Sequence, residues 1–478
     1  MNIPLLTIAL CLSASALSVT QKSSGKSIEI TPLSLKDDKV TFSVQGGNEY
    51  TVPLNSLTEE SRSAIREYFD SAQERESQKY QSTYSAVNEV AGQPLFDKRS
   101  LWQETGSSIA NRLGWRRESL KDSTSSYRLY TDKEYLFLGT RPYCVTLYGG
   151  PNDQPERFSL VYANKGDFGS TVGMGPAHFQ QLYPKKKLPQ DLNDAISLDA
   201  EIIEEALTSA LGTPIKQYYG EKEEKRRVLR WDAADHSFLL SEQEDEFVHL
   251  LIVPTSDADA EGKVERIRDV DLKAIQLQNV RKEDNGDVWI DNIPMVDQGP
   301  KGYCAPATFE RAMRYMSVPA DMYLLATAAT TQKGTNTVKL ADDCKRIVRS
   351  KARRIKELEL TEDLKLSTVR RFIDKGVPIL WQMRSLERYN HIANQRTKAR
   401  KDVQDWEKWA KEISEEAELV EDSLKARDNF HICMIIGYNE STNELAVSDS
   451  WGPYYELRWV SLEIAQAVTN YGGFAIDF

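Results

Sequence analysis

Residues 429–438 read Asn429-Phe430-His431-Ile432-Cys433-Met434-Ile435-Ile436-Gly437-Tyr438, an apolar run broken by one imidazole. A strand with apolar side chains on both faces has to be covered on both, so this segment belongs inside a sheet rather than at its wet edge. The lone His431 must then hydrogen-bond something, because a buried polar group without a partner is costly. Residues 445–453, Leu445-Ala446-Val447-Ser448-Asp449-Ser450-Trp451-Gly452-Pro453, read as a second strand ending in a turn, with 440–444 as the connection. In such a hairpin Asp449, at the far end of the second strand, lies close to His431 at the start of the first. Cys433 stands two residues on from His431 and so shares its face.

A second block lies upstream: Asp297-Gln298-Gly299-Pro300-Lys301-Gly302-Tyr303-Cys304-Ala305-Pro306-Ala307-Thr308. Its first half is a Gly/Pro loop, and the residues after Cys304 are helix-forming, with an apolar face at Phe309, Ala312, Met313 and Met316. Cys304 therefore falls at a helix start, with Pro306 in the first turn, where its missing N–H costs nothing. The unpaired N–H groups and the positive end of the helix dipole favour an anion there, which draws a thiol toward the thiolate. Gln298 precedes Cys304 by six residues on a loop able to fold back. Its side-chain amide and the Cys304 N–H are the right donors for a tetrahedral oxyanion.

Taken in order, Gln298, Cys304, His431 and Asp449-Ser450-Trp451-Gly452 resemble the pattern of the papain-like superfamily of cysteine peptidases. Within it, the Gln-Gly-x4-Cys-x-Pro-Ala spacing is closer to the bacteriocin-processing, double-glycine-type branch. Ala305 departs from both patterns: papain has Trp after its nucleophile, and the double-glycine branch has Gly. The interval of 127 residues between Cys304 and His431 sits at the edge of the range for papain-type enzymes. The resemblance implies a papain-like fold over 288–478, a helical part packed on an antiparallel sheet. It also implies peptide-bond hydrolysis with Cys304 as nucleophile, His431 as base, Asp449 orienting the imidazole and Gln298 in the oxyanion hole. No metal or organic cofactor is implied. Two other readings use the same residues: an acyl-transfer relative such as a transglutaminase or amidase, and an inactive peptidase fold acting as a binding scaffold. A disulfide from Cys304 to Cys433 or Cys344 would silence the nucleophile.

Between the buried strand 377–383 and the His431 strand, residues 384–428 form an insertion. Val403, Trp406, Ala410, Ile413, Ala417, Val420 and Leu424 recur in steps of three and four, a coiled-coil-type seam. With 386–400 as a preceding helix, this reads as a helical hairpin, placed either as a lid over the cleft or as a remote surface decoration.

The remainder of the 478 residues suggests further folded units, at roughly 100–200 residues per domain. Residues 1–18 form an apolar run ending in small residues, the pattern of a secretory signal cut after Ala16 or Ser18. The expected location is therefore exported, periplasmic or extracellular. No later stretch has the ~20 apolar residues of a transmembrane helix. The net charge of −11 argues against nonspecific nucleic-acid binding.

Residues 27–72 contain a strand at 39–44, a turn at 46–48, a returning strand at 49–52 and a helix entered at Thr58. This arrangement resembles the Sla-type homology domain, a small Src-homology-3-like barrel, and implies an adaptor or tethering module. Residues 94–256 form a second, α+β unit, with strands at 127–138, 143–148 and 158–163 and a helix at 192–211 closed by Gly212. The strands 226–240 and 246–253 then pair as a hairpin. His178, His236 and His249 lack metal-ligand spacing and are expected to be structural. Residues 257–269 read as a linker. The whole is a multidomain α+β chain acting on a peptide or protein substrate.

Overall fold

A computed structural model describes residues 17–36, 38–44, 47–168, 189–263, 266–300, 302–331, 334–361, 364–424 and 429–478. His178, Gly46 of the expected turn and residues 1–16 of the expected signal lie outside them. The chain divides into two compact units, residues 1–82 and 83–478.

In the smaller unit, β1 (Leu17–Thr20), β2 (Ser27–Lys36), β3 (Lys39–Val44) and β4 (Glu49–Pro53) form an antiparallel sheet in sequence order. The expected barrel is not closed. Among the described residues one isolated bridge, Gln21 to Leu57, links the β1 side to the segment after β4. Apolar cover comes instead from a helix, Glu59–Ala91, whose Ile65 joins Val19, Ile30, Val40, Phe42, Leu54 and Leu57 in the core. With a helix filling the open face, burial does not require the strands to curl onto one another. Thr58 supports the helix start, its Oγ1 accepting from the Ser61 N–H at 3.4 Å.

The larger unit holds two eight-stranded sheets. In the first, β5 (Arg116–Leu120), β6 (Ser125–Tyr130), β7 (Cys144–Gly149) and β8 (Pro155–Asn164) run as a meander. A second meander comprises β9 (Ile215–Tyr219), β10 (Arg226–Ala233), β11 (His236–Gln243) and β12 (Phe247–Pro254). The pairing of β8 with β12 joins them, giving the order β5-β6-β7-β8-β12-β11-β10-β9. The segment expected as one strand at 226–240 is thus two, turning at Ala234 with φ 58°. The helix Leu192–Leu211 packs on this sheet and ends at Gly212, whose φ of 85° suits a residue without Cβ. Residues 257–269 contain the end of one short helix, Thr255–Asp259, and the first residue of another, Asp269–Gln278.

The second sheet contains β13 (Val280–Lys282) and β14 (Asp287–Ile290), and, past a small hairpin of β15 (Thr330–Thr331) and β16 (Gly334–Thr335), β17 (Arg354–Leu358) and β18 (Ile379–Arg384). It is completed by β19 (Phe430–Asn439), β20 (Glu444–Ser448), β21 (Arg458–Ser461) and β22 (Thr469–Asp477). The order is β13-β14-β19-β18-β22-β17, with β20 pairing both β19 and β21. The apolar run at 429–438 is β19, an interior strand flanked by β18 and β20. Against it packs the helix Cys304–Tyr315, in which Ala305 to Met313 are all buried. A purely amphipathic helix would expose one side. This one is enclosed because the first sheet covers the side carrying Glu310 and Arg314, through Arg128 and the hydroxyl groups of Thr124 and Ser126.

Candidate functional site

Cys304 is the first residue of its helix and is half-buried. The four described cysteines, Cys144, Cys304, Cys344 and Cys433, are all free thiols. The Cys304 sulfur lies near enough to the His431 side chain and to the backbone N–H groups of Ile432 and Ala305 for each to favour its anion. Burial alone would push this thiol up. The imidazole and the two N–H groups outweigh burial and hold it below the ordinary thiol value.

His431 stands at the start of β19, facing away from the exposed Phe430, and is 9% exposed. Its Nε2 lies 2.8 Å from Asp449 Oδ1. With Nε2 engaged there, Nδ1 is the nitrogen left to meet the thiol. Burial lowers an imidazole's pKa, but the bonds to Asp449 and Cys304 reverse this and raise it to about 9. A thiol shifted down beside an imidazole shifted up favours the thiolate–imidazolium pair.

Asp449 follows β20 directly, and the β19–β20 pairing, Met434 opposite Ser448, carries it back along β19 toward His431. The carboxyl group is 1% exposed. Burial raises its pKa, but the Arg458 guanidinium and then His431 overcome this and hold it below the usual carboxylate value. The ring of Trp451 lies beside the imidazole, centroids 4.9 Å apart, and covers it from solvent.

The loop bearing Gln298 is tied to the same place, its backbone N–H donating to Ser450 O at 2.9 Å. Cys433 shares the His431 face and is near enough to Asp449, Arg458 and Cys304 to feel their charges. Burial drives its thiol well above the ordinary range. Cys304 is thus the one described cysteine whose surroundings favour the anion; Cys144 is raised to about 11 and Cys344 higher still, in both cases first by burial.

Two arginines complete the site, and neither was anticipated from sequence. Arg458, on β21 and 2% exposed, donates to Asp449 Oδ2, the oxygen His431 leaves free. Its other nitrogen donates to Asn390 and Asn394, each at 3.1 Å, on the helix Glu387–Ala399. The described part of the insertion holds two helices, Glu387–Ala399 and Trp406–Val420; of the expected seam, Ile413, Ala417, Val420 and Leu424 are buried while Val403, Trp406 and Ala410 are only half-buried. Its first helix packs on β21 and braces the residue that holds Asp449. Arg311 is 1% exposed and reaches both approaches to the site, donating to Pro294 O at 3.0 Å and to Ser448 Oγ at 2.5 Å. Burial lowers its pKa to about 10. Arg311 falls opposite the apolar face of Phe309, Ala312, Met313 and Met316, where the sequence alone reads a solvent-facing charge.

The other described histidines of the first sheet are held by local bonds. His236 Nε2 accepts from the Leu101 N–H at 3.1 Å, and His249 Nε2 lies 2.9 Å from Ser159 Oγ. Among the described residues no group of three or more His, Cys, Asp or Glu side chains is placed to hold a metal ion. No described helix is long and apolar enough to cross a membrane.

Residues 290–471 match the family model of the Peptidase_C39 like family. The match spans Gln298, Cys304, His431, Asp449 and Arg458, and relates this part of the chain to papain-like cysteine peptidases. A comparison with curated proteins found no match.

Proposed function

We propose that this protein is an exported cysteine peptidase that hydrolyses peptide bonds with Cys304, His431 and Asp449. The observation that carries the reading is the placement of Cys304, at a helix start, beside His431, whose Nε2 lies 2.8 Å from Asp449 Oδ1, with the thiol lowered and the imidazole raised. The Cys304 thiolate attacks the scissile carbonyl carbon, and the carbonyl π electrons move to oxygen. The Cys304 backbone N–H, at the helix start where no intrahelical acceptor exists, and the Gln298 side-chain amide donate to that oxyanion. His431 gives its proton to the leaving amine as the C–N bond breaks. It then takes one from the water that releases the acyl group, regenerating thiolate and imidazolium. Asp449 keeps the imidazole in the orientation both transfers need, and Arg458 keeps Asp449 ionised.

Incubation of a denatured protein mixture with wild type and with Cys304→Ala tests this by mass spectrometry. New peptide N-termini with the wild type alone support hydrolysis. Adducts with an added amine, in place of free acids, would point to acyl transfer instead.

Export is supported by the apolar run at 1–18 that ends in small residues. Cleavage after Ala16 keeps the pairing of Leu17 and Ser18 with Ile30 and Glu29, whereas cleavage after Ser18 removes it. N-terminal sequencing of the mature chain decides between them. Exposed Ile28, Leu33 and Tyr50 on the N-terminal sheet support an adaptor role for that unit.

A further inference from the structure

Resting on the peptidase reading, we infer that the β5–β12 sheet is a permanent half of the catalytic machinery, with Tyr130 and Glu118 acting as positioning residues for the Gln298 loop. The loop's backbone is held by that sheet at three anchor points. Ser119 Oγ accepts from the Met295 N–H at 3.0 Å, and Glu118 Oε1 accepts from the Asp297 N–H at 2.9 Å. The Tyr130 hydroxyl donates to the Asp297 carbonyl, so both polar backbone groups of the residue before Gln298 are bound by the first sheet.

On the other side of Gln298, Gly299 lies flat on Tyr130. Its φ is 67°, and a Cβ built there would sit 2.7 Å from the Tyr130 ring. Gln298 itself is tethered by its N–H to Ser450. Its backbone is thus fixed from both sides.

The clamp is built into a shared interior. Arg128 on β6 donates to Glu118 at 2.7 Å and to Glu310 of the nucleophile's helix at 3.3 Å, and all three are nearly inaccessible to solvent. Beside them, Cys144 and Val161 of the first sheet, with Tyr143 just before β7, share one apolar cluster with Val296, Tyr303 and Ala307, the last two flanking Cys304 along the chain. Removing the sheet as a prosegment would expose this cluster, leave Glu310 with Arg314 as its remaining cation and release the loop. The geometry therefore favours a role in setting the oxyanion donor over that of a removable inhibitor.

The test uses the full chain with Tyr130→Phe, which keeps the ring and loses only the hydroxyl, alone and combined with Gln298→Ala. On a peptide substrate, Tyr130→Phe is expected to lower kcat about tenfold with KM within about twofold, since a small displacement of a donor costs rate rather than binding. In the Gln298→Ala background it should change kcat by less than about twofold. Alkylation of Cys304 by iodoacetamide, which needs the thiolate and no oxyanion donor, should be unaltered. Amide exchange at Gln298 and Gly299 should rise at least about tenfold. Equal losses of kcat in both backgrounds, or unchanged amide exchange, would overturn the inference. If the wild type cleaves no peptide, the peptidase reading fails separately, and the exchange measurement alone decides whether the sheet holds the loop.

Discussion

One buried histidine from each sheet of the larger unit, His249 and His431, ends in the opposite state to the other. His249 on β12 is 1% exposed, bonded to the Ser159 hydroxyl and near the Arg226 guanidinium; burial and that cation lower its pKa to about 3. His431 on β19 is also buried, yet Asp449 at 2.8 Å and the Cys304 thiol raise it to about 9. His249 feels the Asp321 carboxylate only through Ser159 and at a distance, against Arg226 and Arg157, whereas His431 bonds its carboxylate directly. The sheets differ in how they bring partners together. The first is two local meanders joined by one pairing, whereas the second sets β18 between β19 and β22 and returns the chain to the site from three distant segments. Short-range topology yields a wall, and long-range topology brings Cys304, His431 and Asp449 together.

Exchanging the same side chain in both places should separate these roles most sharply. Cys304→Ala or His431→Gln is expected to lower kcat/KM by about 10⁴-fold or more while the fold persists. His249→Gln should leave kcat/KM within about threefold and cost about 1–3 kcal/mol of stability as its polar neighbours lose a partner. Peptide hydrolysis and denaturant unfolding on the same samples check both. Next in size is Glu310→Ala, which leaves the buried Arg128 under-compensated between the sheets; a loss of about 3–5 kcal/mol is expected in denaturant unfolding.

Arg458→Gln should lower kcat/KM about a hundredfold. It should also move the acidic limb of the pH profile upward, because burial then raises Asp449 without the cation that most strongly opposes it. Unchanged limbs would mean that Arg458 serves packing only. In the wild type, activity should rise with pH as the thiolate forms and fall as His431 loses its proton near pH 9. The stability His431 contributes follows the sign of a raised base: it is full below the ordinary imidazole range and lost as pH rises through about 9. At the small end, Leu419→Ser on the insertion, where the side chain is 85% exposed, should change neither activity nor stability by more than about 0.5 kcal/mol.

Much of the site was legible because its signals are local. A helix start after a Gly/Pro loop, one histidine in an apolar strand and an Asp at the end of the next strand can each be read within a dozen residues. Arg458 was not legible, since its place depends on β21 folding back on β20. Glu118 and Tyr130 were further out of reach, 179 and 167 residues from the loop they hold. The N-terminal unit was expected to close as a barrel, but closure depends on where the helix packs, and Ile65 fills the space instead. The turn at Ala234 was missed because it lacks the Gly or Asn that normally marks a positive φ.

The most direct test is alkylation of Cys304 by iodoacetamide as a function of pH, read by peptide mass spectrometry on the native protein. A thiolate sustained by His431 predicts reaction at Cys304 well below the pH at which an ordinary thiol reacts, lost or shifted upward in His431→Gln, with Cys144, Cys344 and Cys433 protected. Reaction of Cys304 only at the pH of a free thiol, indifferent to His431, would contradict the account.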